Sequence, residues 1–93
     1  MDFRHSVEMS ISREEFFRAL PAAVGPFVVD GDTIRPPGGT GGWLIRLTPL
    51  ADHRVGSVAV ARHRVEVDLQ GASDSEVEVF MNRFRRGFLR GGG

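Results

Sequence analysis

Three amino acids that support particular chemistries are missing from this chain, which contains no cysteine, no lysine and no tyrosine. Without cysteine there is no disulfide framework, no thiolate nucleophile and no sulfur ligand for zinc or an iron–sulfur cluster. Without lysine there is no Schiff-base amine and no phosphate-binding lysine of the P-loop type. These absences exclude several classes of enzyme, but they do not identify a function.

Long apolar runs are missing as well. No stretch approaches the ~20 apolar residues that a membrane-spanning helix requires. The first residues, MDFRHSVEMS, lack the positive charge followed by an apolar segment that is typical of a secretory signal. We therefore expect a cytoplasmic protein that has no membrane partner.

The amino-acid composition is that of an ordinary folded domain. The 93 residues include 12 basic side chains, all arginine, and 12 acidic ones, and 41% of the chain is hydrophobic. This length is near the lower limit for a single hydrophobic core, so two domains are excluded. We expect one domain over residues 1–90 and a flexible glycine tail at residues 91–93.

The first part of the chain changes from a period of two to a helical period. Apolar and polar residues alternate over residues 3–11, which predicts a strand with one solvated face. Ser12 and Glu15 then form a capping-box pattern, followed by phenylalanine and leucine at helical spacing. Because proline disrupts a helix, we expect this helix to kink or end near Leu20 and to stop by Gly25 at the latest.

Four or five short strands are predicted between residues 27 and 69. Turns are expected at residues 30–32 and 52–54, and the glycine-rich segment 36–42 is expected to be a mobile hairpin tip. Val58 and Val60 are even-numbered, whereas the later apolar residues from Val65 to Leu69 are odd-numbered. A turn or bulge within residues 61–64 would keep both sets on the core side.

A second capping box opens the last predicted element. Ser73 and Glu76 have the required spacing, and apolar residues recur after them at intervals of three and four. This pattern predicts a helix of about 16 residues that frays into the terminal glycines.

The predicted order is strand, helix, several strands, helix. Each element has one apolar side, so the expected fold is α+β: a curved antiparallel sheet of about five strands with both helices packed on one face. This order resembles, in topology, the repeat unit of the TATA-box-binding protein and the helix-grip proteins. The outward side chains carry both signs of charge, so the resemblance implies a fold and not DNA binding. Such a face is solvated, or it packs on a second copy through reciprocal arginine–carboxylate pairs.

Five residues are candidate partner contacts. Trp43 is the sole tryptophan and follows the glycine-rich segment, although a core position is the alternative interpretation. The last helix carries no acidic residue in its second half, where its arginines suit a nucleic acid or another polyanion. Acids at the start and bases at the end of a helix also stabilise its macrodipole. These arginines are Arg83, Arg85, Arg86 and Arg90.

The carboxyl end of the chain offers a third interpretation. Leu89-Arg90-Gly91-Gly92-Gly93 resembles the Leu-Arg-Gly-Gly terminus of ubiquitin-like modifiers and sulfur carriers, which implies a carrier or modifier role for Gly91, Gly92 and Gly93. Glycines at a fraying helix end are the alternative.

The three histidines have no spacing that would direct two of them at one metal ion.

Taken together, these patterns predict a binding or assembly module with a protein or small polar partner, including a second copy of the chain. Nucleic-acid or polyanion binding is the first alternative, and a carrier or modifier is the second. No catalytic residue, metal or cofactor is expected from the sequence.

Overall fold

A computed structural model describes residues 2–39 and 42–92. Within these ranges the chain is an α+β protein, as the sequence predicts, and neither of its helices has the length and hydropathy needed to cross a bilayer. The elements are β1 (Phe3–Met9), α1 (Arg13–Val24), β2 (Val28–Asp30), β3 (Thr33–Arg35), a 3-10 turn (Pro37–Gly39), β4 (Trp43–Val55), β5 (Val58–Leu69) and α2 (Asp74–Gly92).

The five strands form one antiparallel sheet in the order β1-β5-β4-β3-β2. The first strand therefore pairs with the last, and Phe3 lies opposite Leu69 while Met9 lies opposite His63. This arrangement places β1 at one edge of the sheet and the three-residue β2 at the other.

The hydrophobic core lies between one face of the sheet and the two helices. Because side chains alternate along a strand, the odd-numbered apolar residues of β4 and β5 share this face. The helices contribute phenylalanine, leucine and methionine from their apolar sides. The buried residues are Phe16, Leu20, Ala23, Val24, Ile34, Ile45, Leu47, Val65, Val67, Leu69, Met81 and Phe84.

Both predicted capping boxes are confirmed. The hydroxyl of Ser12 accepts from the Glu15 amide at 3.1 Å, and a Glu15 carboxylate oxygen accepts from the Ser12 amide at 3.3 Å. The Ser73 hydroxyl and Glu76 carboxylate make the same pair at 3.2 and 3.0 Å. Hydrogen bonds to the side chain and backbone of Ser12 lower the pKa of Glu15, and those to the backbone and side chain of Ser73 lower the pKa of Glu76.

The first helix does not end near Leu20. It continues through Pro21 to Val24, and the Gly25 amide donates to the Pro21 carbonyl at 2.9 Å. Gly25 has a φ of 78°, in the region that glycine adopts without steric cost, so it terminates the helix.

The long β4–β5 hairpin differs from the sequence-based expectation in two respects. Its turn lies at residues 56–57, where Gly56 has a φ of 61°, and not at residues 52–54. No turn interrupts β5, which runs unbroken from Val58 to Leu69, so the turn predicted within residues 61–64 is wrong. The register shift lies instead in β4, between Leu50 and His53. The end of the hairpin extends past the core, so Val58 is 60% exposed and need not share the face of Val65.

Two other expectations concern residues that are only partly described. The glycine-rich segment 36–42 contains the 3-10 turn at Pro37–Gly39, whereas residues 40–41 lie outside the described ranges. The backbone of α2 extends to Gly92, so it is longer than predicted, and Gly93 lies outside the description.

Candidate functional site

The face of the sheet opposite the helices is uncovered within the described residues and contains a depression of about 410 Å³. We call it the open-face depression. Even-numbered residues of β1, β4 and β5 point to this side because side chains alternate along each strand. Its lining residues are Arg4, His5, Ser6, Leu44, Arg46, Glu66, Val67 and Asp68.

Strand pairing brings two pairs of opposite charge into this site. Arg4 lies opposite Asp68 across β1 and β5, and Arg46 lies opposite Glu66 across β4 and β5. The Nε atom of Arg4 is 3.4 Å from Oδ2 of Asp68. The Arg4 side chain is 84% exposed, whereas that of Asp68 is 22% exposed, so the carboxylate forms the floor of the site and the guanidinium its rim.

The second carboxylate oxygen of Asp68 has no partner. Oδ1 is buried, and no group in the described residues donates a hydrogen bond to it. A buried acceptor without a donor costs free energy, on the order of 1–3 kcal/mol, because its hydration is lost and not replaced. A donor group on a bound molecule would recover that cost once the side chains that cover Oδ1, including the exposed Arg4 beside it, move aside to admit the donor.

Arg46 supplies the complementary charge. It is exposed, and it forms no ion pair within 4.0 Å of any carboxylate in the described part of the chain, including the Glu66 carboxylate opposite it. Leu44 lies two residues away on the same face and adds an apolar surface. The depression therefore combines an unpaired acceptor, an unpaired cation and an apolar patch.

The tryptophan lies on the other side of the sheet. Trp43 is half-buried against the hydrophobic core, and its ring centroid is 6.0 Å from that of Phe80 on α2. The structure thus places Trp43 among the core residues, away from the open-face depression. Its role as a partner contact stays a prediction.

The arginines of α2 do not form one uniform stripe. Arg83, Arg85 and Arg86 are all exposed, but the Arg83 guanidinium lies beside Gly25 at the carboxyl end of α1. A cation at that position stabilises the partial negative charge of a helix terminus. Arg85 and Arg86 form no ion pair with a described residue, and the side chain of Arg90 is not described. Polyanion binding through these residues stays a prediction.

The histidines occupy separate places. His63 Nδ1 lies 2.7 Å from the Ile11 carbonyl oxygen, and the His5 ring stacks on Phe3 at a centroid distance of 6.4 Å. His53 lies in the exposed part of β4. Across residues 2–39 and 42–92 no cluster of three or more histidine, aspartate or glutamate side chains has metal-binding geometry.

The carrier interpretation of Gly91, Gly92 and Gly93 stays untested.

Arg4, Arg46, Glu66 and Asp68 are among the outward side chains of mixed charge that the sequence predicts, but no motif in the sequence marks them as a site. Their alternation along each strand was visible, whereas the pairing of β1 with β5 joins segments that are distant in the chain. Only this pairing brings Arg4 to Asp68.

No family model, no curated protein and no solved structure matches the chain.

Proposed function

We propose that this protein is a non-enzymatic binding module and that the open-face depression is its ligand site. The observation that carries the proposal is the buried Asp68 Oδ1 atom, which has no donor in the described residues and shares a concave site with the unpaired Arg46. A volume of about 410 Å³ is in the usual range for small-molecule sites.

The ligand that fits these groups carries two polar functions. An ammonium or amide N–H donates to Asp68, and a carboxylate or similar anion pairs with Arg46. The apolar part of such a molecule rests on Leu44. An ammonium group makes a stronger, charge-assisted hydrogen bond to the Asp68 carboxylate than a neutral amide does, so these requirements describe a small zwitterion such as a free amino acid. A purely anionic ligand is opposed by the carboxylates of Glu66 and Asp68.

Thermal unfolding with three classes of small molecule tests the proposal. A panel of zwitterions is compared with matched amines and matched carboxylic acids. We expect a zwitterion to raise the melting temperature, because a ligand that binds only the folded state stabilises it, whereas the matched amines and acids leave it unchanged. Asp68→Asn and Arg46→Gln are each expected to abolish the shift.

Glu78→Gln, on the exposed side of α2, serves as the control and retains the shift. Circular dichroism confirms that each variant is folded. A shift that persists in both site variants, or the absence of a shift with every zwitterion in the panel, contradicts the proposal.

We infer further that the topology is that of the TATA-box-binding protein repeat and the helix-grip proteins. The inference is supported by the strand order β1-β5-β4-β3-β2 and by the position of both helices on one face. It does not extend to DNA binding, because Glu8, Glu66 and Asp68 lie on the open face and repel phosphates. The cytoplasmic location expected from the sequence remains part of the proposal.

A further inference from the structure

The edge strand β1 presents an unpaired backbone. It contains seven residues, Phe3–Met9, and among the described residues it pairs only with β5. Its other side therefore carries N–H and C=O groups with no strand beside them, which is a template for pairing with another chain. The opposite edge strand, β2, has only three residues.

We infer that β1 pairs antiparallel with β1 of a second copy, with Ser6 opposite Ser6 of that copy. Two five-stranded sheets then join into one continuous sheet of ten strands, with the helices of both copies on the same side. This inference does not rest on the proposed ligand, although the two sites share residues, since Arg4, His5 and Ser6 belong to β1 and also line the open-face depression.

The register follows from geometry and charge. Residues directly opposite in an antiparallel pair lie on the same face, so a symmetric pair is centred on a residue. A centre at His5 places Asp2 opposite Glu8, which brings like charges together. A centre at Val7 places Glu8 opposite Ser6 and leaves Arg4 opposite Ser10. Only the centre at Ser6 uses all seven residues of the strand.

The centre at Ser6 also makes the charges complementary. Arg4 of each copy lies opposite Glu8 of the other, so two ion pairs form across the new interface. Both side chains extend into solvent, since Arg4 is 84% exposed and Glu8 is 52% exposed. Opposite charges directly across a strand pair stabilise the pairing, and like charges destabilise it.

The charges on β5 extend this pattern. Arg4 already pairs with Asp68 at 3.4 Å, and Glu8 pairs with Arg62 at 3.3 Å. In the joined sheet, a row of alternating sign runs from Asp68 and Arg4 of one copy to Glu8 and Arg62 of the second copy. Each charge in the row has an opposite charge beside it, so the existing ion pairs and the new ones reinforce each other.

The helix side of β1 is consistent with the same contact. Phe3, Val7 and Met9 are half-buried at the margin of the core, so part of each remains in water. In the Ser6 register Phe3 faces Met9 of the second copy, and Val7 faces its His5. The contact therefore removes apolar surface from water in addition to pairing charges.

Charge reversal tests the register. The association of the wild type, Arg4→Glu, Glu8→Arg and the double variant is measured by sedimentation equilibrium. We expect a wild-type dimer, an increase of about tenfold or more in the dissociation constant of each single variant, and tighter association of the double variant than of either one. Reversing both charges restores the ion pairs between the two copies but not the pairs with Asp68 and Arg62 inside each copy. Association that becomes tighter again in the double variant therefore depends on the contact between copies.

Cross-linking gives a second test that does not depend on charge. The chain has no cysteine, so Ser6→Cys introduces a single thiol. Residues opposite each other have Cβ atoms about 5 Å apart, and a short bismaleimide joins them. Ser10→Cys is the matched control, because in this register the two copies of Ser10 lie roughly 27 Å apart. We expect covalent dimer from Ser6→Cys alone, and less of it when Arg4→Glu is added.

A monomeric wild type at high protein concentration overturns the inference, since the charges on β1 would then protect the edge against pairing. A dimer that neither charge reversal weakens, or that cross-links equally through both cysteine variants, also overturns it, because a different surface then joins the copies.

Discussion

At the residue scale, Gly87 sets the distance between the two helices. A Cβ atom at this buried position would lie 2.7 Å from both Cα and Cβ of Ala23 and 2.8 Å from its backbone nitrogen. Gly87→Ala therefore forces α1 and α2 apart. Overpacking of this kind costs about 1–3 kcal/mol, against roughly 1 kcal/mol gained from the better helix propensity of alanine.

Because the clash involves backbone atoms of Ala23 that cannot rotate away, we expect the cost to lie in the upper part of this range, so Gly87→Ala lowers the free energy of unfolding by a net amount of about 1–2 kcal/mol, measured by urea denaturation. Asn82→Ala, at an exposed position of the same helix, is the control and leaves stability unchanged or slightly higher. An unchanged urea midpoint for Gly87→Ala would show that the helices do not approach this closely.

The sequence around Asp68 predicts which face of the sheet this residue lies on, but it does not predict that part of the side chain is buried. Its position on the outward face follows from the alternation between Val65 and Leu69. The burial of its Oδ1 atom depends on β1 and β4, which flank β5 on either side. A site built from three strands needs the register of each pair, and no local pattern encodes that register.

At the scale of elements, the two capping boxes make stability depend on pH. The pKa values of Glu15 and Glu76 are lower in the folded protein than in the unfolded chain, because each carboxylate accepts hydrogen bonds at a helix start. For a group whose pKa falls on folding, the stabilisation is present above the unfolded pKa and is lost as the pH falls through the folded value.

We therefore expect the urea midpoint to fall as the pH is lowered below the ordinary pKa of glutamate, about 4.3. In the double variant Glu15→Gln with Glu76→Gln this fall is smaller, because glutamine accepts the hydrogen bonds without titrating. Glu78→Gln is the control, since the side chain of Glu78 makes no hydrogen bond within residues 2–39 and 42–92. Equal slopes in the wild type and the double variant would rule out this contribution.

The elements also show why some boundaries were predictable and others were not. Ser12 with Glu15 and Ser73 with Glu76 mark both helix starts, because a cap is an interaction over three residues. The turn at Gly56 was missed because residues 52–54 were expected to form it, and the turn or bulge expected within residues 61–64 followed from the assumption that every valine faces the core. Val55 and Val58 lie past the helices, where no core selects one face of the strands over the other.

At the scale of the whole molecule, the sheet either ends at β1 or continues into a second copy of the chain. The chain has a formal net charge of zero, so two copies approach without long-range repulsion. The edge contact then depends on short-range charge pairs and on backbone hydrogen bonds. Backbone N–H groups in a strand alternate in direction, so only every second amide of β1 is satisfied by β5.

This alternation gives a prediction for amide hydrogen exchange. In the monomer, the amides of β1 that point away from β5 exchange quickly, because water reaches them. In the dimer the second copy bonds to them, so they become protected as protein concentration rises, while the amides directed at β5 change less. Residue-resolved exchange by NMR at two concentrations measures the difference, and Arg4→Glu provides the dissociated reference. Protection that does not depend on concentration would mean that the sheet ends at β1.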